Sequence, residues 1–396
     1  MGNSIVNQRF FDTFVKNLII FCFFGVSLQS YYSYEYNLPI LSIFFVISLF
    51  AISIFFFKKE NIFKVSNLAF MMFQITLLSI FWLFLGIAFS GEMQDINTKR
   101  MLFLAIFFIL IFIADKSFNY VSVRKLCFWF LILHILPFYL QFFSFYLFNY
   151  HIDFLSFYNG ESQRVFDGEF KLLSSYEHIR PSGLFVEPGT YATFVAPIVA
   201  LFGRWSILSK KELIVYSLGL ISMFLSFSLY GIIFGLIVIL FNSSLNIKHK
   251  VLFSLGAIAS TSSYLYWRFY LKGQGLDQDL SGFQIRSDGL NSLYQTIFSD
   301  VHTLIFGDSV LRTENSEFYS IGNDVGLYLY LIQYFGLFFI AFLTILFLKH
   351  YFFKFDSYSK IAIIIVFLSK QSIFAPFFIL TLFAIFIRDN NKKNVS

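Results

Sequence analysis

Charged residues are scarce in this chain of 396 residues. Asp, Glu, Lys and Arg together make up 13% of it, whereas soluble globular proteins contain about 25%. Hydrophobic residues reach 58%, and the mean hydropathy is +0.72. This composition excludes a soluble globular protein and predicts a polytopic integral membrane protein. Because its apolar runs approach the length of membrane-spanning helices, about 20 residues, the expected fold class is an all-α helix bundle.

Cysteine is also scarce, and the sequence motifs of several enzyme classes are missing. Cys22 and Cys127 both fall inside apolar runs, which indicates buried thiols rather than a disulfide or a metal pair. There is no Asp-x-Asp pair, no Gly-x-x-x-x-Gly-Lys-Ser/Thr phosphate loop and no His cluster with ligand spacing. His134, alone on an apolar run, is expected to be a packed core residue. We therefore expect no metal, no cofactor and no nucleic acid. The chain does not open with a short apolar stretch followed by a small-residue cleavage site, so the first apolar run is expected to be retained rather than cleaved.

Ten apolar runs predict the membrane spans. Two of them are expected to be hairpins of two short spans, because each carries polar residues in its middle and basic residues at both ends. The hairpin at 213–241 would turn at Ser226 to Gly231, whose hydroxyls would satisfy freed backbone groups. The hairpin at 361–387 would turn near Ser369 to Ser372. The total is 12 spans, or 10 without the hairpins; the single spans are expected at 17–32, 38–57, 67–89, 101–114, 126–148, 189–203, 251–267 and 324–348.

The basic residues give the expected orientation of the bundle. Of the 29 Lys and Arg residues, 19 fall on the side that holds both termini and 10 on the other side. By the positive-inside rule both termini are cytoplasmic. Residues 1–396 then form a single polytopic membrane domain, with two long extracytoplasmic loops at 149–188 and 268–323. Any chemistry is expected in these loops and in the span ends beneath them.

The first long loop ends in an unusual segment at residues 180–192, Arg-Pro-Ser-Gly-Leu-Phe-Val-Glu-Pro-Gly-Thr-Tyr-Ala. Its two prolines restrict the backbone, and its two glycines permit close backbone approach. The pattern predicts a shaped re-entrant turn that holds Arg180 and Glu187 where the chain enters the membrane. The alternative is an ordinary entry loop whose Arg and Glu lie at the level of the lipid headgroups.

The second long loop contains a predicted short helix. Apolar residues at spacings of 3, 4, 7 and 8 from Leu290 to Phe298 form one face, and Arg286 lies just before the first turn. Such a helix would lie on the membrane surface or on the bundle, and it needs no activity of its own. A tight turn is expected at Gly307, and Asp324 stands at the mouth of the span that follows.

These features together resemble a known family. They are the motif Arg-x-x-Gly-x-Phe-x-Glu-Pro-Gly-x-Tyr-Ala, the later Arg286 helix, the Gly307 turn, and the Asn-Asp that enters a span with Tyr-Phe-Gly-Leu. In this combination the chain is similar to the bacterial O-antigen and capsule repeat-unit polymerases, the Wzy-like family. The related O-antigen ligases share this plan. Ligases usually carry a His beside the Asn, where this chain has Gly322, so the polymerase is favoured. The arginine-then-glycine motif of some polymerases, at an eleven-residue step, is not found.

The resemblance implies a multi-pass glycosyltransferase of the bacterial cytoplasmic membrane. It would join lipopolysaccharide or capsular repeat units carried on a polyprenyl diphosphate such as undecaprenyl diphosphate, without a metal or a nucleotide sugar. Membrane lipid, a chain-length regulator and a flippase are the partners that it implies. The alternatives are an O-antigen ligase or other lipid-linked sugar transferase, and a flippase or transporter. Two long outer loops, no repetition between the halves and few charges within the membrane speak against a transporter.

The chemistry of such a reaction assigns expected roles to four residues. A cation must hold the diphosphate leaving group, and arginine suits this because its planar fork binds phosphate oxygens bidentately. Arg180 and Arg286 are the candidates. A base must take the proton of the attacking hydroxyl, and Glu187 is the candidate because a carboxylate partly desolvated at the membrane boundary accepts a proton more readily. Asp324 is the reserve.

Overall fold

Long apolar runs fold as helices in the computed structural model, which describes residues 67–90, 122–156, 163, 179–204, 208–241, 301–307 and 326–369 together with isolated positions elsewhere. This part of the chain is 82% helical and contains no strand, which confirms the all-α class for it. Its helices are α1 (Asn67–Ser90), α2 (Val123–Phe148), α3 (Pro188–Phe202), α4 (Lys210–Leu225), α5 (Leu229–Phe241), α6 (Val301–Phe306), α7 (Leu327–Phe335), α8 (Leu337–His350) and α9 (Ser357–Leu368).

Two helical segments are long and apolar enough to cross a membrane, Val123–Phe148 and Leu337–Lys354. They indicate that the chain associates with a membrane. The spans predicted at 67–89, 126–148 and 189–203 coincide with α1, α2 and α3 to within three residues. The runs 38–57 and 101–114 lie outside the described residues, and only isolated helical positions are described within 17–32 and 251–267.

The outward surface of these helices is apolar, and several polar side chains lie inside. Leu136 on α2, Phe81 on α1 and Ile345 on α8 are each more than half exposed. His134 and Gln141, in contrast, are fully buried. A soluble protein does not expose so many large apolar side chains, because contiguous apolar patches of this kind aggregate in water. The distribution fits a surface in contact with lipid.

Helix α3 lies at the centre of a group of five helices. It packs against α2, α4, α5 and α9, and nearly all of its side chains from Tyr191 to Phe202 are buried. The Tyr191 hydroxyl donates a hydrogen bond of 2.6 Å to Ser222 of α4, which in turn donates to the Gly219 carbonyl. A helix buried on every face shows no amphipathic pattern, which is why α3 was predicted from its length and apolarity alone.

The predicted break in the run 213–241 is present. Helix α4 ends at Leu225 and α5 begins at Leu229, so the turn occupies Ser226 to Ser228. The Ser226 hydroxyl donates to the Met223 carbonyl at 2.7 Å and accepts from the Ser228 amide at 3.3 Å. This confirms the expectation that hydroxyls at the tip satisfy backbone groups. The tip itself is buried, because it lies against the start of α3.

The span predicted as one helix at 324–348 is two helices, and this corrects the expectation. Helices α7 and α8 are separated by Gly336, whose φ of +87° is a left-handed conformation that glycine adopts most easily. The predicted turn at Gly307, with φ of +79°, is present and lies against this break. A second contact holds the break, because the Trp82 indole of α1 donates to the Phe335 carbonyl at 3.1 Å.

The run 361–387 also reverses direction. Helix α9 ends at Leu368, and the Ser369 carbonyl accepts a hydrogen bond from the Leu327 amide at 2.8 Å. Ile385 nevertheless lies beside the first turn of α9, because its carbonyl accepts from the Ser359 hydroxyl at 3.3 Å. Ile385 is therefore back at the level of the first turn of α9, as the hairpin prediction requires.

Two ion pairs join helix ends at one face of the bundle. Arg124 at the start of α2 pairs with Glu212 at the start of α4 at 2.5 Å. Arg204 after α3 pairs at 2.9 Å with Asp356, which caps α9. These four helix ends are the ones that the charge count assigns to the cytoplasmic side. The ends of α2 and α9 and the start of α3 therefore lie at the opposite face.

Candidate functional site

The segment before α3 is a buried turn, as its proline and glycine pattern predicts. Ser182 and Phe185 are fully buried, and Arg180 and Glu187 at its two ends are half-buried. The turn passes over the C-terminal part of α2, where the Tyr146 hydroxyl donates to the Ile179 carbonyl at 3.1 Å. We call residues 179–187 the entry loop. Such a loop needs many partners, because buried backbone groups without hydrogen bonds are costly.

Gln141 of α2 supplies the first set of partners to the entry loop. Its Oε1 accepts hydrogen bonds from the backbone amides of Ser182 and Gly183, at 2.9 and 3.1 Å. Its Nε2 donates to the Ile152 carbonyl and to Oε1 of Gln163, both at 2.9 Å. A single fully buried side chain on a helix thus fixes the middle of the loop.

Gln163 supplies the second set from within the first long loop. Its Nε2 lies 3.1, 2.7 and 2.8 Å from Ser182 Oγ, the Gly183 carbonyl and the Phe185 carbonyl. Its Oε1 accepts from Gln141 and from the Phe154 amide. Both oxygens face N–H donors and both nitrogens face acceptors, so every polar atom of the two amides has a partner. We call Gln141 and Gln163 the amide pair.

A carboxylate holds Gln163 in turn. One carboxylate oxygen of Asp153 accepts from the backbone amide of Gln163 at 3.1 Å. Its other oxygen accepts from the backbone amides of Leu155 and Ser156. His151 lies beside this cluster, with its Nε2 3.5 Å from Gln141 Nε2. Burial lowers the pKa of His151, and the nearby charge of Asp153 opposes that shift. The start of the first long loop and its end are therefore joined through one buried polar network.

Glycine is required at one point of the entry loop. Gly183 has a φ of +59°, and a Cβ there would lie 3.2 Å from the His134 carbonyl and 3.3 Å from the Phe138 amide. This close approach occurs beside Pro137, the proline inside α2. His134 is fully buried, with its ring centre 4.5 Å from that of Phe130 and 4.9 Å from that of Phe185. The prediction that His134 is a core residue is confirmed.

Glu187 lies where the entry loop meets α3 and the tip of the α4–α5 hairpin. It is the residue before the first turn of α3, and the Thr190 hydroxyl donates to its Oε1 at 3.2 Å. A Cβ built on Gly189 would lie 3.6 Å from that oxygen, 3.7 Å from Ser228 Oγ and 3.7 Å from the Tyr230 ring. Glu187, Ser228 and Tyr230 therefore meet around a position without a side chain.

The four predicted site residues divide into two groups. Arg180 and Glu187 lie at the two ends of the entry loop, at one face of the bundle. Arg286 and Asp324 lie outside the described residues. Within the helix predicted from Leu290 to Phe298, the described positions up to Ile297 are helical and Phe298 is a turn; Ile297 is buried and Tyr294 is exposed.

The amide pair was missed by the sequence reasoning. One signal was available for Gln141, because it lies seven residues after His134 on the same face of α2, and polar residues within spans mark sites that must be satisfied. No local pattern marks Gln163. Its importance depends on partners 19 to 22 residues away along the chain.

Cys127 is a buried free thiol, as predicted, and Cys22 lies outside the described residues. In the described part of the chain, no group of three or more His, Cys, Asp or Glu side chains could hold a metal ion. Comparisons with protein-family models, with curated proteins and with solved structures find no match for this chain.

Proposed function

We propose that this protein is a polysaccharide polymerase that joins repeat units carried on a polyprenyl diphosphate at the outer face of the bacterial cytoplasmic membrane. The entry loop is the observation that carries the proposal. It holds a cation and a carboxylate, Arg180 and Glu187, half-buried at one end of an apolar helix bundle. A lipid-diphosphate donor needs both groups at such a boundary, because its reacting bond lies next to the membrane surface.

The reaction assigns a separate task to each group. The acceptor hydroxyl attacks the anomeric carbon of the donor sugar, and the bond from that carbon to the diphosphate oxygen breaks. Glu187 takes the hydroxyl proton, and the arginine guanidinium holds the charge that develops on the departing diphosphate. Arginine retains its charge and offers a bidentate fork, which suits two adjacent phosphate groups. Arg286 joins Arg180 in this role, and Asp324 is the second candidate base.

The same proposal includes a bundle of about 12 spans with both termini cytoplasmic. The ion pairs Arg124–Glu212 and Arg204–Asp356 support it, because they join helix ends that the positive-inside rule assigns to one side. The entry loop then belongs to the outer side. Both hairpins support the same orientation, because each returns the chain to the side that it left.

Polymerisation by purified protein in lipid tests the function directly. The donor is a defined repeat unit on a polyprenyl diphosphate, with a chelator present, and the product is measured as a ladder of glycan lengths. We expect Arg180→Ala and Arg286→Ala to reduce the ladder to single units. Arg→Lys keeps the charge but loses the fork, at a cost of about 1.5 to 3 kcal/mol, so partial activity is expected.

Glu187→Gln separates binding from chemistry. It preserves the shape of the side chain but removes the base, so donor lipid should still bind while turnover falls. Lys211→Ala is the matched control for the two arginine variants. Lys211 is an exposed cation in the first turn of α4, and the opposite end of that helix leads to the hairpin tip near Glu187. Full activity in both arginine variants would overturn the proposal, and so would complete dependence on a divalent metal. Transfer of a single unit to an acceptor glycan, without a ladder, would indicate a ligase instead.

A further inference from the structure

The amide pair connects the backbone of the entry loop to α2 through two glutamine side chains. Gln141 is 0% exposed and Gln163 is 4% exposed. Polar side chains are rarely placed so deep unless all their hydrogen bonds are formed, because each unsatisfied group costs free energy. Here every donor and acceptor of the two amides is used, and most of the partners belong to the entry loop or to the loop after α2.

We propose that Gln141 and Gln163 are positioning residues that fix the entry loop in the one shape in which Arg180 and Glu187 can act on the same substrate. The inference rests on the proposed function. Its structural basis is that the pair binds the middle of the loop, at Ser182, Gly183 and Phe185, and leaves both ends to carry the charged groups. Neither glutamine touches Arg180 or Glu187 through a hydrogen bond of this network, so the effect passes through the loop backbone.

The chemistry of the pair explains why two glutamines are present. A side-chain amide both donates and accepts hydrogen bonds. Gln141 can therefore accept from backbone N–H groups of the loop with its oxygen and donate to Gln163 from its nitrogen. Gln163 can then accept from Gln141 and bind loop carbonyls with its nitrogen. A carboxylate at either position would only accept hydrogen bonds, and a hydroxyl would offer one donor where the amide offers two. The pair is therefore an adaptor between N–H groups and C=O groups of the same loop.

The test compares single and double variants in lipid nanodiscs. Gln141→Met and Gln163→Met keep the length of the side chain and remove its hydrogen bonds. Gln74→Met is the matched control, because Gln74 is an exposed glutamine on α1. The first measurement is hydrogen exchange, which needs no substrate. We expect the amides of residues 179–187 to exchange about tenfold faster or more in both variants, while the helices keep their protection and the control is unchanged.

The second measurement is polymerisation. We expect kcat to fall by about tenfold or more in each single variant, with the KM for the donor lipid changed much less, because the binding groups remain while their alignment is lost. The double variant should lose little more than either single variant, because the two side chains act as one unit. A loss of kcat that only follows the folded fraction of protein would overturn the positioning role.

The two arms separate this inference from the proposed function. Unchanged exchange of the entry loop in both variants overturns the inference, whatever the activity. If the wild-type protein makes no polymer, the proposed function fails, and the effect of the pair on the loop is then decided by exchange alone. If one variant does not fold, the other carries the test, because Gln163 is on a loop and Gln141 is on a helix.

Discussion

The Arg124 guanidinium donates two hydrogen bonds to the Glu212 carboxylate, from Nε at 2.6 Å and from a terminal nitrogen at 2.5 Å. The two residues are 88 positions apart in the chain, and they join the first turns of α2 and α4. Glu212 also completes a capping box with Ser209 at the start of α4. One carboxylate therefore both caps its own helix and binds a second helix.

This pair predicts a pH dependence of stability. The hydrogen bonds from Arg124 lower the pKa of Glu212 to about 2, from its ordinary value of 4.5. A carboxyl group with a lowered pKa stabilises the folded protein fully above its unfolded pKa, and it loses that contribution as the pH falls through the folded pKa. We expect the stability difference between wild type and Glu212→Gln to be about 1 kcal/mol at pH 6 and to shrink between pH 4.5 and 2. Unfolding in detergent across this range measures it; a difference that stays constant contradicts the assignment.

The contact between Gly307 and Gly336 predicts a large effect of small substitutions. Both residues have positive φ, and a Cβ on Gly336 would lie 2.0 Å from the Ile305 carbonyl oxygen. We expect Gly307→Ala and Gly336→Ala each to destabilise the protein by about 2 kcal/mol or more, because strain and overlap with the backbone add. Thermal unfolding in detergent measures this.

Gly256→Ala is the control for that prediction. Gly256 is exposed, and a Cβ there would meet no atom of the described residues within 4 Å beyond the backbone of its own helix. Its substitution should leave stability unchanged or slightly raise it, because alanine favours helix. Equal effects at all three positions would mean that the break between α7 and α8 does not need glycine.

Thiol labelling tests the tip of the α4–α5 hairpin. Ser228 is 5% exposed, whereas the adjacent Leu229 is 38% exposed. In a background without Cys22 and Cys127, we expect Leu229→Cys to react with an impermeant reagent added outside the cell and Ser228→Cys to be protected. Labelling of Leu229→Cys from the cytoplasmic side only would contradict the orientation of this hairpin.

Reporter fusions test the orientation of the whole bundle. We expect a reporter at Gly160 or Gly282 to be extracytoplasmic and one at Phe63 or Phe353 to be cytoplasmic. Phe353 follows α8, close in the chain to Asp356, which pairs with Arg204. If the reporters at Gly160 and Phe353 were found on the same side, α2 and α8 could not both have the expected direction.

The helices and their interruptions could largely be predicted from the sequence. Apolar length identified α1, α2 and α3, because the thickness of a bilayer sets how long a run must be. The serines at 226 and 228 marked a turn because they can replace backbone partners. Gly336 did not mark a break in advance, because a single glycine is tolerated inside a helix and only its contact with Gly307 makes the bend necessary.

The candidate site was only partly predictable. Proline and glycine around Arg180 and Glu187 act on their own backbone, so a shaped turn could be expected from residues 180–192 alone. The amide pair could not, because Gln141 and Gln163 gain their role from atoms of Ser182 and Gly183 that come close only in the folded chain. Local patterns report local forces, and this network is made by tertiary contacts.

The burial of α3 on all sides also has a consequence for the order in which the helices can pack during synthesis. Of the four helices that enclose it, only α2 precedes it in the chain, whereas α4, α5 and α9 follow. A ribosome that has just completed α3 has therefore not yet made most of the surface that α3 will cover. The formation of α3 and its packing are therefore separate events, and α3 acquires its full set of neighbours only after α9 has been synthesised.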